Sequence, residues 1–208
     1  MRGGIFITGT DTGVGKTWVT TQLVRELIGR GLRAVGMKPV ECGGREDAIA
    51  IRRASGEREP LDRINPVFLD EPLAPAAAAQ IPDIDFARIG DCFGRLTRAY
   101  DLVLVEGAGG WLVPLDRERT MADLAIALDL PVILIARNRL GVLNHTLLTV
   151  RALAASGRAC RAIYLNTLPS DRDGTDCSRS SNARVLRELL PGIPVIEDDL
   201  SLLATSLF

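Results

Sequence analysis

Apolar residues occur along this chain in two patterns: short unbroken runs, and longer stretches where they return every three or four positions. GIFIT (4–8), RAVGMK (33–38), DLVLVEGAGG (101–110), PVILIAR (131–137), RAIYLN (161–166) and IPVI (193–196) are of the first kind and predict strands. Residues 17–31, 46–54, 85–99, 120–130, 141–157 and 180–192 are of the second kind and predict helices. Within 17–31, Val19, Leu23, Leu27 and Ile28 fall on one face and Gly31 provides a stop. Pro39 ends the second strand, and acidic residues open the 46–54 helix, where they suit its dipole. The 85–99 helix is predicted despite two internal glycines, and Gly157 ends the 141–157 helix. Residues 55–82 are Pro-rich and read as irregular, and LSLLATSLF closes the chain as a brief apolar segment.

Strands that are apolar throughout must be covered on both faces. Alternating with helices, they predict an α/β fold: one three-layer domain over residues 1–208 around a mostly parallel central sheet. No fixed-period repeat and no linker divides the chain.

Composition narrows the function. With 208 residues, 47% hydrophobic, 25% charged and a net charge of −1, the chain is globular and its charge balance points to no nucleic-acid partner. Cys42, Cys92, Cys160 and Cys177 are scattered without a Cys-x-x-Cys pair, against structural zinc. Cys92, Cys160 and Cys177 read as small buried hydrophobes. Arg2 leads directly into Gly-Gly and a short apolar run, too short for a signal peptide or a membrane span, so a cytoplasmic location is expected.

In such folds ligands bind at the carboxyl ends of the strands. The first strand ends in GTDTGVGKT (9–17), close to the phosphate-binding pattern of Gly, four residues, then Gly-Lys-Ser/Thr, but with Thr10 at the first position and Gly9 one place earlier. Between a strand and an amphipathic helix, this loop is a nucleotide site: the backbone of Gly13, Val14 and Gly15 cradles phosphates, Lys16 reaches the β/γ-phosphates and Thr17 ligates Mg²⁺. Lys38 ends the second strand on the same rim, either as a solvated lysine or as a second cation for an anionic substrate beside the γ-phosphate. Glu106 ends the apolar run 101–106 where an acid would hold Mg²⁺, and the uncharged Gly107, Ala108, Gly109 and Gly110 allow close approach. Asp47 is open between dipole compensation and metal binding. Cys42 follows Lys38 into the site region, Asn144 is a helix-start residue or a ligand contact, and His145, without a partner in sequence, reads as a packing residue.

Together TGTDTGVGKT, GMKPV, REDA, VEGAGGWLVPL, LPVILIARNRLGVLNHTLLT and LN resemble the dethiobiotin synthetases in order and register, over residues 4–166. The resemblance implies a P-loop NTPase-like fold and the closure of a ureido ring on 7,8-diaminopelargonic acid, using CO₂ and ATP with Mg²⁺. Lys16 and Lys38 would be catalytic. Thr17, Asp47 and Glu106 correspond to the metal positions, and Asn166 to a contact to the nucleotide base. Thr12, Lys38, Cys42 and Gly107 to Gly110 correspond to the diamine site, and Leu143 and Asn144 to residues supplied by the second subunit of a homodimer. Gly13 departs from the acid many relatives carry there, and Cys42 from their Ser or Thr. A partition- or septum-type ATPase is the alternative, but Asp11 stands where its signature lysine would be. A cobyrinate-type amidotransferase would need a glutaminase domain as well.

Overall fold

A computed structural model describes residues 3–78, 80, 83–172 and 175–208. The expected reading of Arg2, and residues 79, 81 and 82 of the expected irregular segment, lie outside the described residues. Six strands form one parallel sheet: β1 (Gly3–Gly9), β2 (Ala34–Met37), β5 (Leu102–Gly110), β6 (Val132–Arg137), β7 (Cys160–Asn166) and β8 (Val195–Glu197), in the order β2-β5-β1-β6-β7-β8. Each coincides with a predicted apolar run. β1 and β5 lie side by side in the interior, where Ile5, Phe6, Ile7, Val103, Leu104 and Val105 are all buried. The chain crosses from β1 through α1 (Lys16–Gly29) to β2, on the far side of β5, and later from β5 to β6 on the opposite side of β1. That reversal opens a crevice at the carboxyl ends of β1 and β5.

On one face lie α1 and α8 (Leu200–Thr205), packing Val19, Leu23, Leu27 and Leu203 against Ile7, Leu104 and Ile135. On the other lie α4 (Phe86–Ala99), α5 (Met121–Ala127), α6 (Val142–Ala155) and α7 (Arg179–Leu189), over Phe6, Val105, Leu134 and Ile163. Truncating a fully buried leucine such as Leu23 to alanine costs about 2–5 kcal/mol. α2 (Glu46–Ala54), with the predicted bounds, packs Ile51 beside β2 at the sheet edge.

The structure differs from expectation in four places. Ile28 is 40% exposed, because the face of α1 that meets the sheet runs through Val24 instead. Residues 55–82 are not uniformly irregular: they contain α3 (Leu61–Ile64), β4 (Val67–Leu69) and a 3-10 turn at Pro75–Ala77. β4 pairs in parallel with β3 (Val40–Cys42), an unanticipated strand directly after Lys38-Pro39. Finally, the apolar end of the chain forms α8, where Asp199 accepts a bond from the Leu202 amide.

Candidate active site

The loop between β1 and α1 is built around crowding. A Cβ on Gly9 would lie 2.8 Å from the Asp11 carbonyl and 3.0 Å from Lys16 Nζ, so this is a place where no side chain fits. Gly110, its register partner on β5, faces the Gly9 carbonyl at 3.3 Å from its own would-be Cβ. The displaced glycine is therefore set by the loop's own turn, which brings the Asp11 carbonyl, Val14 and Lys16 back over Gly9. Gly15 has φ 89° and begins α1 without a side-chain cap, leaving first-turn amides for an anion. A Cβ there would lie 2.2 Å from Asn166 Nδ2, which donates to the Val14 carbonyl at 2.9 Å. Asn166 thus braces the loop from β7 while buried.

Lys16 folds back, its Nζ donating to the Asp11 carbonyl at 3.0 Å. Burial, then the neighbouring Lys38 charge, lowers its pKa to about 8. Beside it is a compact charged cluster. Lys38 Nζ donates to Glu106 Oε1 at 2.6 Å and to Asp47 Oδ2 at 2.9 Å, while the Thr17 hydroxyl donates to the same Glu106 oxygen at 2.8 Å. Burial by itself would lower the Lys38 pKa, but Glu106 and Asp47 outweigh it and raise it, so Lys38 is a permanent cation. Burial pulls Asp47 upward, and Lys38 overrides it to leave Asp47 below its ordinary value. Lys16 and Lys38 are the chain's only lysines; its other basic residues, one histidine apart, are arginines.

Glu106 is fully buried, and its second oxygen, Oε2, has no hydrogen-bond partner. A buried carboxylate with a spare acceptor, a second carboxylate and a hydroxyl fits an Mg²⁺ that also takes phosphate and water ligands. No group of three or more His, Cys, Asp or Glu able to hold a metal occurs among the described residues.

Next to the cluster is an open cavity of about 420 Å³. Of the predicted diamine residues, Thr12, Lys38, Cys42, Ala108 and Gly109 line it. Gly107 and Gly110 do not: Gly107 backs onto the Phe6 ring and Met121, and Gly110 onto β1. Leu143 and Asn144 stand in the first turn of α6, away from this cavity, and Asn144 is exposed. Burial pushes the Cys42 thiol above its ordinary pKa, so it is not a poised nucleophile. Two expectations are corrected. His145 is exposed and lines a shallow niche with Asp11 and Arg139 rather than packing inside, because α6 buries Val142 and Thr146 on either side of it. Cys177 is exposed, and Cys92 and Cys160 are half-buried.

Sequence reasoning missed Glu41 and the Leu73 segment on the cavity wall. Glu41 is 6% exposed and accepts from the Asp47 and Ala48 amides at 2.8 and 3.0 Å. A glutamate two residues past Lys38-Pro39 was the only sequence signal for it.

The family described as an AAA domain matches residues 3–198. The chain is 46% identical over 212 residues to the ATP-dependent dethiobiotin synthetase BioD of Anaeromyxobacter dehalogenans, across 98% of this chain and 95% of the relative. The chain belongs to the dethiobiotin synthetase family. A synthetase of the same name from Akkermansia muciniphila is 40% identical over 205 residues, covering 94% of this chain and 96% of its own. Among solved structures, the septum site-determining protein MinD of Pyrococcus horikoshii, complexed with Mg-ADP, aligns with a TM-score of 0.58 at 18% identity, over all of this chain and 86% of its own. The signal recognition particle receptor FtsY of Elizabethkingia anophelis gives 0.52 at 15%, over 94% of this chain and 57% of its own. These two share the fold alone with the dethiobiotin synthetase chain.

Proposed function

We propose that the chain makes dethiobiotin from 7,8-diaminopelargonic acid, CO₂ and ATP, with the 420 Å³ cavity as the diamine site and residues 9–17 as the triphosphate site. The observation that carries this reading is Lys38, which lines the cavity together with Asp47 while its ammonium also reaches the buried Glu106 behind the wall. One substrate amine adds its lone pair to the carbon of CO₂ and loses a proton, giving a carbamate. A carbamate oxygen then attacks the γ-phosphorus, and the bond to the bridging oxygen breaks to release ADP. The second amine attacks the carbonyl carbon of the mixed anhydride, phosphate departs with the electron pair, and the attacking nitrogen releases one of its two protons and keeps the other as the ureido N–H.

Both the carbamate and the triphosphate are anionic, and their approach is the electrostatic problem of the reaction. Lys38 faces the carbamate side and Lys16 the phosphate side, with first-turn amides of α1 adding partial positive charge. Thr17, Asp47 and Glu106 would hold Mg²⁺, whose charge screens the triphosphate when bound. Thr12, Cys42, Ala108 and Gly109 shape the diamine pocket, with Gly107 and Gly110 setting the wall behind it. Asn166 would lie against the nucleotide while bracing Val14.

We further propose that the chain acts as a single P-loop domain in a cytoplasmic homodimer. Leu143 and Asn144 stand away from their own cavity, available to a second subunit's site, and the nearby Leu140 and Leu148 are 80% and 56% exposed. No helix among the described residues is long and apolar enough to cross a membrane. Purified protein should hydrolyse ATP only with both diamine and bicarbonate present, yielding a ureido product by mass spectrometry. ATP turnover indifferent to the diamine would refute the reading.

A further inference from the structure

Asp47 is a puzzle of placement. Its side chain is 42% exposed, so packing does not hold it, yet its carboxylate stands 2.9 Å from a buried ammonium. The restraint comes through its backbone. α2 begins at Arg45 without a side-chain cap from that residue, whose guanidinium is turned away to Asn65 and Asp62. The amides of Asp47 and Ala48 are left as orphan donors of the first turn. Glu41 takes both, one on each oxygen, from β3 rather than from the helix itself.

We propose that Glu41 is a positioning residue for the metal and carbamate site, acting through Asp47. Lys38 and Glu41 lie on one short segment, three residues apart, so the lysine and the anchor of its partner share one piece of backbone. Asn65 fixes the start of that segment by donating to the Lys38 carbonyl at 2.8 Å. Glu41 therefore ties the first turn of α2 to the strand that carries Lys38, and Asp47 cannot drift from Lys38 and Glu106 without breaking two charge-assisted bonds. A neutral amide at position 41 offers one acceptor and sets its NH₂ against the other amide, so it holds half of this clamp.

The proposal rests on the reading of Asp47 as a metal-site residue, and a double-mutant cycle tests it. Mn²⁺ binding in the presence of ADP is read by electron paramagnetic resonance in wild type, Glu41→Ala, Asp47→Ala and the double variant, with thermal unfolding alongside. Glu41→Ala should weaken Mn²⁺ binding about tenfold in wild type and less than twofold in the Asp47→Ala background, if the two act as one unit. The melting temperature should fall by the same amount in both backgrounds, because the cap is lost in each. Mn²⁺ affinity untouched by Glu41→Ala, or weakened equally in both backgrounds, overturns the proposal. Should Glu41→Ala not fold, Glu41→Gln enters the same cycle with the same non-additivity expected and additivity refuting. None of these measurements uses the diamine, so absence of diamine-dependent turnover would count against the synthetase reading alone.

Discussion

Replacing Lys38 with methionine removes a cation while keeping an unbranched side chain of similar length. The ammonium it removes is 2.6 Å from Glu106 Oε1, with the two side chains 4% and 0% exposed. Breaking such a buried pair from one side leaves the other charge uncompensated and costs about 3–5 kcal/mol. The half-exposed Asp47 contact adds about 1 kcal/mol or less. For a chain of this length each kcal/mol moves the melting temperature by about 2–4 °C, so a fall of about 6–24 °C is expected by circular dichroism or scanning calorimetry. Changing both partners, Lys38→Met with Glu106→Gln, should recover most of that loss, since no charge is then stranded. Mg²⁺ should also stabilise Lys38→Met more than wild type, because Glu106 and Asp47 then attract a divalent ion without a resident competitor. At ten times the dissociation constant that gain is about 1.4 kcal/mol. Nucleotide affinity should persist in Lys38→Met while product formation disappears. A melting temperature equal to wild type, or a double variant no more stable than the single one, would refute this account of the cluster.

With a pKa lowered to about 8, Lys16 is charged below that pH and loses its proton above it. A phosphate beside it favours the ammonium, so ADP binding at pH 8 should take up at most about half a proton and weaken as pH rises further; calorimetry in buffers of different ionisation enthalpy would detect no uptake if this is wrong. Gly15→Ala should abolish nucleotide binding, since the methyl carbon would sit 2.2 Å from Asn166 Nδ2 at a φ of 89°; ordinary affinity by fluorescence titration would contradict that geometry. Cys42→Ser should keep turnover within a few-fold, and in the wild type the Cys42 thiol, raised in pKa by burial, should alkylate more slowly than the exposed Cys177. Mass-resolved labelling with iodoacetamide checks the order.

The sheet was legible because β1, β5, β6 and β7 are long apolar runs that only a doubly covered parallel sheet can bury. Its charged rim followed, since Lys38 stands just beyond the end of β2, Glu106 at the end of the apolar part of β5, and Lys16 and Thr17 at the start of the helix after β1, so that parallel strand direction brings them together. Three-residue strands such as β3 and β4 carry too few positions to show a period, and their pairing depends on partners 27 residues apart, Val40 with Val67. Glu41 was hidden for a related reason: its partners are backbone amides, which every residue but proline has, so no pattern of side chains marks them. His145 was misjudged because helical spacing fixes which residues share a face but not how wide the covered stripe is. The offset glycine of the loop was visible as an anomaly, and only the folding of Asp11, Val14 and Lys16 back over Gly9 explains it.

Confining its lysines to positions 16 and 38 has a practical consequence. Guanidinium groups do not acylate under conditions that modify amines, so the protein's exterior is silent to amine-directed reagents. Apart from an α-amine, any acyl or carbamoyl label that stays on this chain as an amide or urea reports from Lys16 or Lys38. Of the two, Lys16, with its lowered pKa, is the one that offers a free amine near neutral pH, and lysine isotope labelling would give just two side-chain signals, both from the charged cluster, without a foreign probe.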